Sequence, residues 1–405
     1  MPRSSAAPSR MHSRCAHPFR PSVDLVIGRV RRALAGTMLV LALGGCATFP
    51  DDGPRDWREK VENAGELGGP PLVPESEAPE PPPEEEQETD PSAIPEPTGC
   101  VDPDPQVVAT CLGPVSAVAV LPDSRTALVA ERATGRVLRV QRGVEPVLVT
   151  TVPVDASGGG GLTGLVLSPG YAEDRLVYAY ATTPEDNRVL RLASGEEPKP
   201  VFTGIPRGAR DNAGALATDG RNALVIATGS AGLAPDAASL AGKVLRIDTL
   251  GRPAEGNPDP ASPIYSAGLT APGGVCVGGG ELWVTDRSNA RDVLFRATPG
   301  QLGEPAWTWP ERPGVGGCVA QPGLLLVAQA GGRAVFVLRP GETGAFTGAP
   351  ETLLQNRYGR LSATAAAPDG LLWLGTVNKG GGRTVASDDR VIRIQPPSGG
   401  GESRI

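Results

Sequence analysis

Apolar and polar residues fall in short blocks along most of this chain, and the blocks repeat. LVAERATGRVLRV (128–140) reads as an apolar strand, a polar turn and a second strand. The same plan returns in LVYAYATTPEDNRVLRL (176–192), LVIATGSAGLAPDAASLAGKVLRI (224–247) and LWVTDRSNARDVLFRA (282–297). It returns again in LLVAQAGGRAVFVL (325–338) and LWLGTVNKGGGRTVASDDRVIRI (372–394). The six starts are separated by 48, 48, 58, 43 and 47 residues. A hairpin recurring at roughly 40 to 50 residues is the signature of propeller blades. Each hairpin is preceded by a short stretch rich in small residues: VSAVAVL, GLTGLVL, AGALAT, GGVCV, GCVAQ and SATAAA. Small side chains suit the innermost strand of a blade, which crowds the central axis. No amphipathic helical period of more than two turns interrupts the pattern. One four-stranded blade has two apolar faces and cannot bury both alone, whereas a ring of blades buries each face against a neighbour. The pattern therefore predicts an all-β, six-bladed β-propeller over residues 100–396.

The first 99 residues follow a different logic. Arg29, Arg31 and Arg32 precede an apolar run from Ala33 to Leu43, which ends in Gly44-Gly45-Cys46. A basic start, a short apolar run and small residues before a cysteine form a lipoprotein signal; a membrane span needs roughly 20 apolar residues. Residues 1–45 are expected to be a leader. Cys46 is expected to carry lipid and to hold the protein on the extracytoplasmic face of the cell membrane. The two histidines, His12 and His17, would leave with the leader. The mature chain would then have no imidazole base or imidazole metal ligand. Residues 46–99 are expected to form a flexible tether. Between 68 and 99 stand ten prolines and nine acidic residues but no basic one, too little apolar surface to fold. At about 3.1 Å per residue its reach is on the order of 100 Å. The tail, 397–405, is expected to be disordered.

Composition narrows the function classes. The formal net charge is −7, and no basic cluster occurs in the repeated region, which excludes nucleic acid as a partner. Of six cysteines, Cys15 lies in the leader and Cys46 is the lipidation site. Cys100, Cys111, Cys276 and Cys318 remain, an even number in an exported chain and without C-x-x-C spacing. We expect the disulfides Cys100–Cys111 and Cys276–Cys318. The second pair falls on the innermost strands of neighbouring blades four and five. The first would clamp the incoming strand near ring closure.

Over residues 112 to 396 the chain resembles the glucose/sorbosone dehydrogenase family. The matching stretches are Val129-Ala130-Glu131-Arg132 with Gly135, Gly160-Gly161-Leu162 running to Leu167-Ser168-Pro169, and Asn187-Arg188-Val189. Gly204-Ile205-Pro206, Leu240 through Ile247, Asn257-Pro258 and Pro368-Asp369-Gly370 also fit. The signal, the acidic Pro-rich spacer and Trp307-Thr308-Trp309-Pro310 resemble the LppZ-type lipoproteins of actinobacteria within that family. The resemblance implies a six-bladed propeller carrying pyrroloquinoline quinone and calcium. It also implies a catalytic histidine at the position of Asp211, in Asp211-Asn212-Ala213-Gly214. An ordinary aspartate is a weaker base than histidine at neutral pH. The family's Gly-Asp turn, whose Asp supports that histidine, appears as Gly229-Ser230. Its Gly-His-Arg-Asn-Pro-Gln-Gly segment, which holds the quinone carboxylates, appears as Gly268-Leu269-Thr270-Ala271-Pro272-Gly273-Gly274. The blade-five lysine falls around Gly331, and a blade-six basic pair survives as Arg360 with Ser362. A trianionic cofactor needs several cations or donors to offset its desolvation, so no cofactor is expected here.

The resemblance maps Glu131, Arg132, Asp211, Asn212, Asp286, Arg287 and Arg360 to loops at one mouth of the central channel. They are read first as rim salt bridges and turn caps, the alternative being a polar binding mouth. Trp307 and Trp309 are read first as inter-blade packing, the alternative being a lid or stacking platform for a sugar-like ligand. Asp388-Asp389 and Asp102-Pro103-Asp104 match no defined calcium loop, and no metal site is expected. Together these readings predict a non-catalytic cell-envelope module for an envelope glycan, a small polar ligand or a protein partner. Two alternatives stand beside it. One is a diverged quinone-dependent oxidoreductase with Asp211 as base. The other is a calcium-dependent, lactonase-like hydrolase using Asp211, Asn212 and Asp286.

Overall fold

The computed structural model describes residues 94–341 and 345–398. The chain divides into two compact units, 1–85 and 86–405, and all described residues belong to the second. The leader, Cys46, the tether up to residue 93 and the end of the tail lie outside the described residues.

The repeats fold as antiparallel sheets in a ring of six. Blade one is Val115–Val120, Thr126–Glu131, Arg136–Gln141 and Val144–Thr151; blade two is Leu162–Leu167, Val177–Thr182, Asn187–Leu192 and Lys199–Ile205. Blade three is Gly214–Thr218, Ala223–Thr228, Lys243–Asp248 and Ile264–Ala267, with Gly300–Gln301 added in parallel at its edge. Blade four is Ala271–Gly278, Glu281–Arg287, Asp292–Arg296 and Trp307–Trp309; blade five is Val315–Gln321, Leu324–Gln329, Ala334–Leu338 and Glu351–Leu353. Blade six begins with Leu361–Ala366, Leu372–Thr376 and Val391–Ile394. The long third interval of the repeat is taken up by the loops at 229–242 and 249–263.

The outermost strand of blade six is Val107–Ala109, which precedes blade one in the chain and pairs with Val391–Ile394. The ring is thus closed by its own N-terminal segment. Cys100 and Cys111 are bonded on either side of that strand, with Cα atoms 5.3 Å apart. Asp104 accepts from Tyr358 Oη at 2.6 Å and pairs with Arg357; Asp102 accepts from Ser387 Oγ and pairs with the buried Arg390. The acidic motifs at 102–104 and 388–389 therefore serve closure: Asp388 pairs with Arg390, and Asp389 accepts from Thr376 Oγ1 and the Asn378 amide.

The core is a set of six apolar clusters rather than one body, each between two adjacent blades. The second strands of blades one, two, three and five are buried at every position. A strand with sheets packed on both faces reads as a continuous apolar run, which is why ALVA, VYAYA, ALVIA and LLLVA lack alternation. At the axis the innermost strands come very close. A Cβ on Gly274 would stand 2.6 Å from the Cα of Gly317. Only glycine allows that approach, and just beyond it Cys276 and Cys318 bridge the same strands.

Gly274→Ala should accordingly destabilise the protein by about 3 kcal/mol through backbone displacement at this contact. Gly303→Ala, where an added Cβ meets nothing within 4 Å, should be near neutral. Guanidinium unfolding of both variants checks this, and equal stability would mean the inner strands of blades four and five are not in such contact.

Candidate functional site

In an antiparallel blade, the head of the inner strand, the turn between strands two and three and the end of the outer strand all lie at one end. Loops from all six blades therefore meet around one mouth of the channel. The channel behind it is a cavity of about 540 Å³ lined by the small inner-strand residues, among them Ser116, Thr163, Ala215 and Thr364. Among the described residues no three His, Cys, Asp or Glu side chains converge to hold a metal ion.

Three of the expected ligand residues are used by the scaffold. Glu131 ends the second strand of blade one and is 1% exposed. Its carboxylate accepts from the Gly113 amide at 2.7 Å and from Thr134 Oγ1 at 2.6 Å, and Arg136 stands 3.4 Å away. Asn212 is fully buried; its Nδ2 donates to the carbonyls of Gly208 and Gly158, and its Oδ1 accepts from the Gly208 amide. Asp286 is 3% exposed and accepts from the amides of Thr270 and Ala271, the latter at 2.7 Å. The same device recurs where the sequence reading did not look for it. Asp292 accepts from the amides of Gly314 and Val315, and Asn378 Oδ1 from the amide of Arg360. A buried acceptor satisfies the otherwise orphaned N–H groups at the head of an inner strand. The signal was present as an acid closing an apolar run, in ALVAE and LWVTD.

Trp307 and Trp309 make inter-blade aromatic contacts. They occupy the outermost strand of blade four, and both stack on Phe336 from blade five at centroid distances of 5.7 and 5.4 Å. Trp307 also meets Phe346 edge-on, and Trp309 is 2% exposed. Trp309 is thus enclosed between blades, and Trp307 is half-buried.

Arg132, Asp211 and Arg287 stand at the same end of the ring, on blades one, three and four. Arg132 is exposed, Arg287 is half-buried, and blades one and four face each other across the ring. Burial pushes the Arg287 guanidinium below its ordinary pKa; Asp292, Asp286 and Asp211 oppose that shift and Arg132 adds to it, so these charges are within electrostatic reach. Asp211 stands in the left-handed region (φ 57°) at the head of blade three, with one carboxylate oxygen 2.9 Å from Arg210. Arg287 also donates to the Ala271 carbonyl. Two guanidinium groups and a carboxylate over a channel opening can donate to anionic oxygens and accept from hydroxyls, the pairing a polar, hydroxyl-bearing ligand requires. Arg360 lies apart from them, in a second cavity of about 520 Å³ between the mouth loops of blades five and six.

A closed ring of six antiparallel blades with a polar mouth defines the class, and the comparisons narrow it. The sequence pattern of the Glucose / Sorbosone dehydrogenase family matches residues 114–310. The PQQ-bound aldose sugar dehydrogenase of Streptomyces coelicolor is 33% identical, with TM-score 0.66 over 71% of this chain and 95% of that one. A glucose dehydrogenase-type oxidoreductase of Thermus thermophilus is 32% identical, with TM-score 0.65 over 71% and 98%. The soluble aldose sugar dehydrogenase of Escherichia coli shares the fold at 21% identity, with TM-score 0.60 over 72% and 99%. No curated protein sequence matches the chain. The chain belongs to the glucose/sorbosone dehydrogenase family.

Burial raises the Asp286 carboxyl from 3.8 to about 6, against the pull of its amide hydrogen bonds. The folded state therefore holds this proton more tightly than the unfolded state. Its contribution is most favourable below about pH 4, declines as pH rises through about 6, and changes by at most about 3 kcal/mol. Asp286→Asn should lack this dependence. Thermal unfolding of both proteins from pH 4 to 8 should show the wild type gaining on the variant as pH falls; a constant difference would contradict the buried position of Asp286.

Proposed function

We propose that this protein is a ligand-binding propeller of the cell envelope, anchored by lipid on Cys46, and that it does not run the quinone chemistry of its relatives. The observation that carries this reading is the head of blade four. Thr270 and Ala271 stand where the family resemblance implies quinone-holding arginine and asparagine, and their amides are already donated to Asp286. The blade-five segment is closed in the same way: the amides of Gly331 and Gly332 both go to the Pro313 carbonyl. Of the implied quinone holders, Arg360 is left as the charged donor. A trianionic quinone requires more compensation than that, so the residues present do not fit the group. Asp211 replaces the implied histidine and is held by Arg210. The mouth keeps Arg132, Arg287 and Asp211, a set suited to a small polar ligand of the glycan type.

Calorimetric titration of the purified protein with pyrroloquinoline quinone, with and without calcium, tests the reading. No saturable binding below about 100 μM is expected, together with no dye-linked oxidation of aldoses. Calcium-dependent one-to-one binding with turnover would overturn it. The anchor is tested separately: Cys46→Ala should abolish palmitate incorporation in cells and release the protein from the membrane fraction.

A further inference from the structure

The cavity between blades five and six has an unusual charge inventory. Arg333, Arg357, Arg360, Arg383 and Arg390 line it, against one carboxylate, Asp388. Arg390 is paired with Asp102 and Asp388, and Arg357 with Asp104. Arg333, Arg360 and Arg383 make no ion pair with a carboxylate within 4 Å among the described residues, whereas Arg357 and Arg390 in the same cavity do. The Nε of Arg360 is buried and without a hydrogen-bond partner.

The cavity floor is rigid. Tyr358 is buried, donates to Asp104 with Gln106 Oε1 also at 2.8 Å, and has the guanidinium groups of Arg357 and Arg390 over its ring at 5.1 and 5.4 Å. Asn378 donates to the Tyr358 carbonyl and to Asp388. One wall is glycine, and it presses on the Arg360 stem: a Cβ at Gly382 would come within 2.8 Å of Arg360 Cδ. Three unpaired guanidinium groups around a preformed hollow repel one another until an anion joins them, and their planar forks match phosphate and carboxylate oxygens. A volume of about 520 Å³ falls among small-molecule sites, which run from about 300 to 1,000 Å³.

We propose that this off-axis cavity binds a small organic anion of sugar-phosphate size, its charged group held by Arg333, Arg360 and Arg383. The proposal rests on the reading of the mouth as a binding surface and adds to it a ligand class; the cavity takes in Gly331 and Arg360, where the resemblance puts quinone-holding residues, and extends outward between blades five and six to Arg333 and Arg383.

Glucose 6-phosphate, glucose and inorganic phosphate serve as probes in calorimetric titrations of the purified protein at low salt. Glucose 6-phosphate should bind one-to-one, more weakly as salt rises, with glucose silent. Saturable binding of inorganic phosphate on the same arginines would support the anion site as well. Arg333→Ala and Arg383→Ala change exposed side chains; each should weaken binding at least tenfold with the thermal midpoint unchanged. Arg132→Ala, at the axial mouth, should leave it intact. Equal binding of glucose, no binding of either phosphate at millimolar concentration, or affinity unchanged in Arg333→Ala and Arg383→Ala would overturn the proposal. Loss of binding in Arg132→Ala alone would move the anion to the axis, sinking this inference while sparing the mouth as a binding surface. Calcium-dependent quinone binding with turnover would overturn the proposed function alone, whereas calcium-independent quinone binding lost in Arg333→Ala and Arg383→Ala would report this anion cavity, so the two readings fail separately.

Discussion

Everything in this propeller depends on how the ring is shut. Each apolar cluster lies between two blades, so none is complete until both neighbours are in place. The last gap is sealed by the short strand Val107–Ala109 and by two buried acids just before it. Asp102 and Arg390 are both nearly inaccessible, and Asp104 is 6% exposed. Removing one partner of such a buried pair leaves an uncompensated charge, typically a loss of about 3 to 5 kcal/mol. Lys379 reinforces the seam from blade six by donating to the Leu112 carbonyl. Covalent, ionic and sheet contacts thus coincide at the one place where the sequence of blades is interrupted.

The same economy explains the mouth. Acids and amides that look like ligand groups are spent on the heads of inner strands, where backbone donors would otherwise face neither sheet nor water. What remains for a ligand is a smaller set of rim charges, mostly arginine. A fold carries its chemistry only through such residues.

The architecture was legible because its causes are local. Alternating blocks, turn residues and small inner-strand side chains repeat within each 40 to 60 residues, and both expected disulfides are present. The mouth was less so. An acid at the end of an apolar strand has the same local signature whether it binds a ligand or caps a neighbouring strand. Glu131 and Asp286 are decided by where the amides of Gly113 and of Thr270 and Ala271 fall, and Asn212 by the loop carrying Gly158. Trp307 and Trp309 are decided by Phe336 of the next blade. The arginine-lined cavity draws on segments near 333, 360 and 383 that nothing in their own neighbourhood links.

The seam also orders events in time. Val107 pairs with Ile392, so a strand made early must wait for a partner made almost last. Until then, the blades that form in succession present an open edge at each end. The Cys100–Cys111 bridge spans only 11 residues and can form while that wait continues. It restricts the waiting strand before its partner exists, which shortens the search at the final docking step. Contacts of such long sequence separation fold slowly, and this one is made by a segment that its own disulfide folds back on itself.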